Sequence, residues 1–395
     1  MDPYNISTPC FILDEGELIN SINGFKNALS SHFEKSMVGY SVKTNSLPYC
    51  LKIAREQGCC AEVVSYHEYQ LALRCGFEKN RIIYNGPMKS KESFLDAIEN
   101  GAIVNIECNR EIDWLEELPP TRKYKIGIRL NIDISQISPL DENHEDDNSR
   151  FGFSAENDSF EHAIERINSL PHVQLAGIHT HRTSRTRSLD FYQNVIQYTE
   201  SIIEHYGLEL EYWDLGGGYF GMMPNKPTYE DYAQVFYNSL SEKNRKMTII
   251  VEPGNALIAS AFDYVSTVMD VKEHNGMYYI TTDGTRNDID PFYHKSNYFK
   301  SFSFKQTDGI DTDKAQIICG NTCLEYDRLF TIEGGKRLLQ VGDQIIYNRV
   351  GAYTMCLTPL FIHYFPIVYL KDNQGTLTVI REEWTEKEFT KKSIF

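Results

Sequence analysis

Between residues 37 and 254, short β-branched and aromatic runs alternate with longer stretches in which apolar residues recur every three or four positions. "MVGYSVK" (37–43), "CAEVVS" (60–65), "RIIYNG" (81–86), "AIVNIE" (102–107), "KIGIRLN" (125–131), "LAGIHTH" (175–181), "EYWDLGGG" (211–218) and "TIIVEPG" (248–254) read as strands. "LPYCLKIAREQG" (47–58), "YHEYQLALRCG" (66–76), "ESFLDAIENG" (92–101) and "SLDFYQNVIQYTESIIEHYG" (188–207) have the 3.6-residue period of amphipathic helices. Strands spaced roughly 20 to 45 residues apart with helices between them predict parallel strands joined by crossovers. Eight such units close a TIM-like (β/α)8 barrel, placed here at residues 20–260.

Beyond residue 260 the period changes. "DYVSTVMDVK", "GMYYITTD", "AQIICG", "DQIIYNRVG" and "TLTVIRE" alternate apolar and polar positions with turns between them, as antiparallel strands do. The fold class is therefore α/β: a (β/α)8 barrel followed by a C-terminal antiparallel β-domain at 261–395, which residues 1–19 are expected to join.

Composition narrows the partners. A formal charge of −16 opposes binding to nucleic acid or to an anionic membrane. No apolar run reaches spanning length, because "CLTPLFIHYFPIVYL" (356–370) is broken by His363 and two prolines. The start, "MDPYNISTPC", has neither the basic region nor the apolar segment of a signal peptide. Nine cysteines without a CxxC or other ligand-spaced group suggest free thiols in a reducing cytoplasm, and no metal site.

Chemistry-bearing residues collect where the strands end, the place at which barrel enzymes keep their catalytic groups. Lys43 ends the first strand, and Arg129, His179 with His181, and Glu252 end later ones. "DLGGG" puts three glycines after a strand, where bare backbone can approach a phosphate closely. Each has a bland reading, as a solvated lysine, a flexible turn or a strand-end salt bridge.

Eight motifs in order go further: "YSVKTNS", "AEVVSYHE", "RFGF", "GIHTHRTS", "DLGGG", "EPG", "CGNTCLEYD" and "VGAYTM". Together they resemble the fold-type III pyridoxal-phosphate decarboxylases, the group containing the diaminopimelate and ornithine decarboxylases, over nearly the whole chain. The resemblance implies that Lys43 carries pyridoxal 5′-phosphate covalently and that Glu252 of "EPG" faces its ring nitrogen. It implies that His181 stacks on the ring, with His179 a packed barrel histidine. Ser184, Gly216, Gly217, Gly218, Gly254 and Tyr353 then hold the cofactor and its phosphate. Glu62, Glu68 and Arg129 match positions lining the same pocket, with structural salt bridges an equal alternative for Glu68 and Arg129. Cys323 resembles the cysteine that returns a proton to the substrate carbon, entering from the second subunit of a homodimer with shared sites. The implied partner is a small-molecule amino-acid substrate.

Three positions depart from diaminopimelate decarboxylases. The arginine usual after "EPG" is Asn255, the arginine usual before a later proline is Asp290, and the glutamate usual after the catalytic cysteine is Leu324, next to Glu325. Asp290, Glu325 and Asp327 would then read a distal substrate group, as would Arg182 and Arg286; Arg185 and Arg187 lie close to the site in sequence. The expected substrate is a diamino acid or an acylated or citryl-conjugated amino acid rather than meso-diaminopimelate. True diaminopimelate decarboxylation, an amino-acid racemase and a non-catalytic homologue are the alternatives. The last would be expected to lack Lys43 or Cys323.

Overall fold

The computed structural model describes residues 6–141, 149–306 and 308–395. The chain divides into two units: Ile19–Leu257, and the stretch up to Leu18 together with Ile258–Phe395.

Eight parallel strands form the first unit. They are β1 (Ser36–Ser41), β2 (Cys60–Ser65), β3 (Ile82–Met88), β4 (Ile103–Ile106), β5 (Tyr124–Asn131), β6 (Val173–His179), β7 (Tyr212–Asp214) and β8 (Thr248–Val251). Each pairs with its neighbours in chain order, β8 returns to β1, and the ring closes. The predicted barrel is present. Four of the eight strands, β1, β6, β7 and β8, stop two to four residues short of their predicted ends. β1 gives way at Val42–Thr44 to a single 3-10 turn that carries Lys43, and β7 ends at Asp214 before the glycines. The motif residues thus leave the ladder and lie on the loops at the mouth.

Helix starts follow local chemistry. Ser65, Ser90 and Ser188 accept backbone N–H groups of the first turns of Tyr66–Arg74, Lys91–Glu99 and Leu189–His205. Thr228 and Asp231 form a reciprocal capping box on Tyr229–Ser239.

The barrel interior is filled in part by one ring. A Cβ on Gly177 would meet three atoms of the Tyr212 ring at 2.1–2.4 Å, and one on Gly127 would meet the Tyr212 hydroxyl oxygen at 2.2 Å. Both glycines exist to admit that tyrosine. Ile83, Ala176, Ile250 and Cys60 pack around it.

The second unit is a sheet whose backbone strand is Phe262–His274. It pairs antiparallel with Met277–Thr282, Gln344–Asn348 and the early strand Cys10–Asp14. Two pairings are parallel, Cys10–Asp14 with Ile367–Lys371 and Met277–Thr282 with Gln316–Cys319, because their connections are too long to be hairpins. Among the described residues no helix is long and apolar enough to cross a membrane.

Overpacking at the tyrosine gives a direct test of this interior. Gly177→Ala should lower stability by about 1–3 kcal/mol, read as an earlier urea midpoint, and an additional Tyr212→Leu should recover part of the loss. An unchanged midpoint in Gly177→Ala would contradict the packing.

Candidate active site

At the barrel mouth Lys43 Nζ donates to Ser41 Oγ at 2.8 Å and to Glu62 Oε2 at 2.5 Å, while Ser41 Oγ donates to the same carboxylate oxygen at 2.6 Å. Glu62 is buried, whereas the lysine side chain is 35% exposed. The amine is therefore anchored from below and reachable from above. Glu68 takes no part in this cluster. Its carboxylate accepts the Val64 N–H at 2.8 Å, and burial raises its pKa.

Glu252 follows β8, the strand next to β1 in the ring, and is 4% exposed. Asn85 Nδ2 donates to its Oε1 at 2.5 Å, and its carboxylate, the Asp214 carboxyl and the His179 ring offer atoms all within 4.8 Å of one another. Burial, then the Glu252 charge and a hydrogen bond to it, push Asp214 well above the carboxylate range. His179 is driven well below 6.5 by its own burial and then by the Arg129 cation. His181 falls to about 3 for the same two reasons, so both imidazoles are neutral.

The glycine loop is bound into this arrangement. Gly216 N–H donates to Asp214 Oδ1 at 2.9 Å, Gly217 N–H to His181 Nδ1 at 3.2 Å, and Gly216 O accepts Glu252 N–H at 2.7 Å. Gly216 and Gly218 have φ of +67° and +99°, which side chains other than glycine's rarely allow. A Cβ on Gly216 would strike His181 at 2.5 Å, one on Gly217 the Glu252 carbonyl at 2.4 Å, and one on Gly254 the Thr44 hydroxyl at 2.1 Å.

Arg129 acts on this site through backbone. Its guanidinium pairs with Glu107 at 2.5 Å and donates to His181 O at 3.0 Å, holding the histidine in place. Ser184 is engaged away from the glycines: its Oγ donates to the buried Asp141 carboxylate, which also accepts Thr186 N–H at 2.9 Å and Thr186 Oγ1 at 2.6 Å. Asp141 thereby shapes the loop after His181. Arg182 is buried and lines a separate cavity with Asn131, Asp133, Ser154 and Glu156. Arg185 is exposed, and Arg187 lies over the Phe220 ring at 5.3 Å.

Sequence reasoning missed five residues at this mouth. Glu107 is the partner of Arg129, and Lys89 with Glu111 forms a fully buried ion pair at 3.1 Å. Asn85 and Asn105 are the others. Both stand alone in otherwise apolar strands, "IIYNG" and "IVNIE", and that isolation was the available signal.

The second unit holds the remaining candidates. Cys323 is exposed and lines a cavity with Tyr279, Cys319, Thr322 and Arg328. Its loop is tied down by Asp327, whose carboxylate accepts Arg286 N–H, Thr285 Oγ1, Thr322 N–H and Thr322 Oγ1 at 2.7–3.2 Å. That carboxylate is spent on holding the loop. Arg286 and Asp290 were expected to read opposite substrate charges, but they pair with each other at 2.7 Å. Asp290 accepts further bonds from His294 N–H, Lys295 N–H and Tyr298, and so is saturated. Glu325 is fully solvated, and Tyr353 is partly exposed at φ +55°.

The barrel mouth fits pyridoxal phosphate on its own geometry. It offers a reachable primary amine, a buried carboxylate after the neighbouring strand, a neutral imidazole, and a glycine cradle that any Cβ would fill. Buried beside them, neither ring nitrogen of His179 makes a hydrogen bond among the described residues.

Comparison with known proteins agrees. Residues 16–259 match the model of the pyridoxal-dependent decarboxylase family, pyridoxal binding domain. The chain is 28% identical over 395 residues to a probable chloroplastic diaminopimelate decarboxylase of Oryza sativa subsp. japonica, covering 95% of this chain and 77% of that one. It is 26% identical to the L-glutamyl-[BtrI acyl-carrier protein] decarboxylase of Niallia circulans, covering 87% and 85%. The solved diaminopimelate decarboxylase of M. jannaschii superposes with a TM-score of 0.84 at 22% identity, covering 99% and 93%. The chain thus belongs to the pyridoxal-dependent decarboxylases, and pyridoxal 5′-phosphate is the cofactor its barrel mouth is built to hold.

Proposed function

We propose that this enzyme decarboxylates an α-amino acid whose distal end differs from that of meso-diaminopimelate, and that its active unit is a homodimer. The observation that carries the decarboxylase reading is a reachable Lys43 amine and a buried Glu252 carboxylate following the neighbouring strands β1 and β8 of one barrel mouth.

When bound, pyridoxal phosphate supplies the electron sink that accepts the pair left as CO2 departs. The chain's own residues prepare for that. Lys43 Nζ, held by Ser41 and Glu62, is the amine that carries the cofactor and yields it to the substrate amine. Glu252 places negative charge where the ring nitrogen must stay protonated. The neutral His181 ring presents a flat face without competing for that charge. Cys323, brought by the partner chain, returns a proton to the substrate carbon. A racemase would use the same barrel without releasing CO2.

The specificity reading rests on charges that are missing. Asn255 and Leu324 carry none where diaminopimelate decarboxylases place an arginine and a glutamate. Asp290 is neutralised by Arg286, which leaves a cationic distal group without its expected partner. An amino acid acylated or conjugated at its distal end is therefore favoured. The Niallia circulans relative, named for a glutamyl group on a carrier protein, supports that class. The names of several other relatives favour the second reading, diaminopimelate itself.

Borohydride treatment of the cofactor-loaded protein should fix the label on Lys43 alone, and Lys43→Arg should fold yet remain inactive because guanidinium forms no exchangeable imine. A label on any other residue would remove Lys43 from its role. Mixed Lys43→Ala and Cys323→Ala subunits should regain at most about a quarter of wild-type turnover, one good site in half the molecules; heterodimers that stay inactive would reject the shared site. In a CO2-release panel of diamino, acylated and conjugated amino acids, meso-diaminopimelate should fall about two to three and a half decades below the best substrate in kcat/KM, the equivalent of about 3–5 kcal/mol for an unpaired buried charge. Diaminopimelate as the best substrate would establish the second reading.

A further inference from the structure

Beneath Glu252 a line of polar side chains runs down through the barrel interior. Asn85 Nδ2 donates to Glu252 Oε1 at 2.5 Å, and its Oδ1 accepts from Asn105 Nδ2 at 2.8 Å. Asn105 Nδ2 also reaches Asp214 Oδ2 at 3.3 Å, and its Oδ1 accepts from the Tyr212 hydroxyl at 3.0 Å. Asn85, Asn105, Asp214 and Glu252 are each at most 4% exposed. Tyr212 is wedged against Gly127 and Gly177, so its hydroxyl has little freedom.

The direction of every bond follows from one condition. An ionised Glu252 can only accept, so Asn85 must turn its amide nitrogen upward. Its oxygen then faces Asn105, which must in turn present nitrogen, and the oxygen of Asn105 is left for the one donor below it, the Tyr212 O–H. Reversing any member would set two acceptors or two donors against each other in a buried site, a cost that the neighbours cannot relieve with water.

We propose that Asn85 and Asn105 are positioning residues which, with Tyr212, form a hydrogen-bond column that donates to both members of the Glu252–Asp214 acid pair and fixes the pair, with one proton between its carboxyl groups, beneath the cofactor. The column rests on the reading that Glu252 serves the ring nitrogen. One proton held in the pair agrees with the strong upward displacement of the Asp214 carboxyl, caused by burial and then by the Glu252 charge. Other ionisable groups that face the pair are His179 from β6, Glu62 from β2, Lys43, Tyr212 and Tyr219. Of these the tyrosines are held neutral by burial and His179 is neutral, while Glu62 accepts from Lys43, from Ser41 and, at 3.4 Å, from Asn85 Nδ2.

Two measurements read the column without relying on turnover. In cofactor-free protein at neutral pH, infrared spectra should show the carbonyl stretch of a protonated carboxylic acid that vanishes in Asp214→Asn. Asn85→Leu and the nearly isosteric Tyr212→Phe should both move that band. In protein loaded with nitrogen-15-labelled pyridoxal phosphate, the ring-nitrogen resonance should be that of a protonated nitrogen, and Asn85→Leu should shift it toward the unprotonated form. The same variant should lower kcat about tenfold with KM changed by no more than about twofold. If Asn85→Leu fails to fold, Tyr212→Phe carries both tests. Absence of the acid band from wild type, or a band that both variants leave unmoved, overturns the proposal. A band that behaves as expected above a ring nitrogen already unprotonated in wild type supports the column and instead rejects the placement of Glu252 beneath the ring.

Discussion

Two carboxyl groups, Asp214 and Glu252, lie together at the end of a closed barrel where little water can reach them. Like charges at that separation in a poorly solvating interior cannot both persist, so the pair must keep one proton. Which of them keeps it decides whether the site can hold a protonated ring nitrogen. Asn85 gives its amide hydrogen to Glu252, while burial and the Glu252 charge raise the Asp214 carboxyl well above the usual carboxylate range. The glycine loop is tied to both members of the pair, since Asp214 accepts the Gly216 N–H and Glu252 donates its backbone N–H to the Gly216 carbonyl.

The remaining charges at the mouth are handled as pairs, each fixing something beyond itself. Lys43 is held on Glu62 and Ser41, which orients its amine. Arg129 balances Glu107 and spends another donor on the His181 carbonyl. Lys89 and Glu111 are wholly buried, with Lys89 also bonding the Gly86 carbonyl and Glu111 the Glu107 N–H, so the pair locks the ends of β3 and β4 together. Buried ion pairs of this kind add little net stability over apolar packing, but losing one partner is costly. Their value here is geometric.

Much of this was legible beforehand. Alternating periods located the barrel, and polar residues after strand ends located Lys43, His181, the glycines and Glu252. What could not be read was pairing across strands. Nothing local in "NDIDP" says that Arg286 and Asp290 will saturate each other, because a four-residue spacing is a contact only once Arg286–Ile289 turns as a helix. Ser184 was read through the phosphate of a resembling family, yet its hydroxyl is directed to Asp141, a residue distant in sequence on a different loop. Strand ends were set too late because motif residues such as Lys43 and Glu252 share the apolar context of the strand before them, while the ladder stops earlier. Asn85 and Asn105 looked like flaws in apolar strands until the barrel closed around them.

The location of one proton tests this account most directly. Neutron diffraction from deuterium-exchanged crystals of the cofactor-loaded enzyme should place a deuteron on the Asp214 carboxyl, deuterons on Asn85 Nδ2 directed at Glu252, and none on Glu252 itself. A deuteron resting on Glu252 with Asp214 bare would contradict it, because the carboxylate meant to face the ring nitrogen would then be the neutral partner.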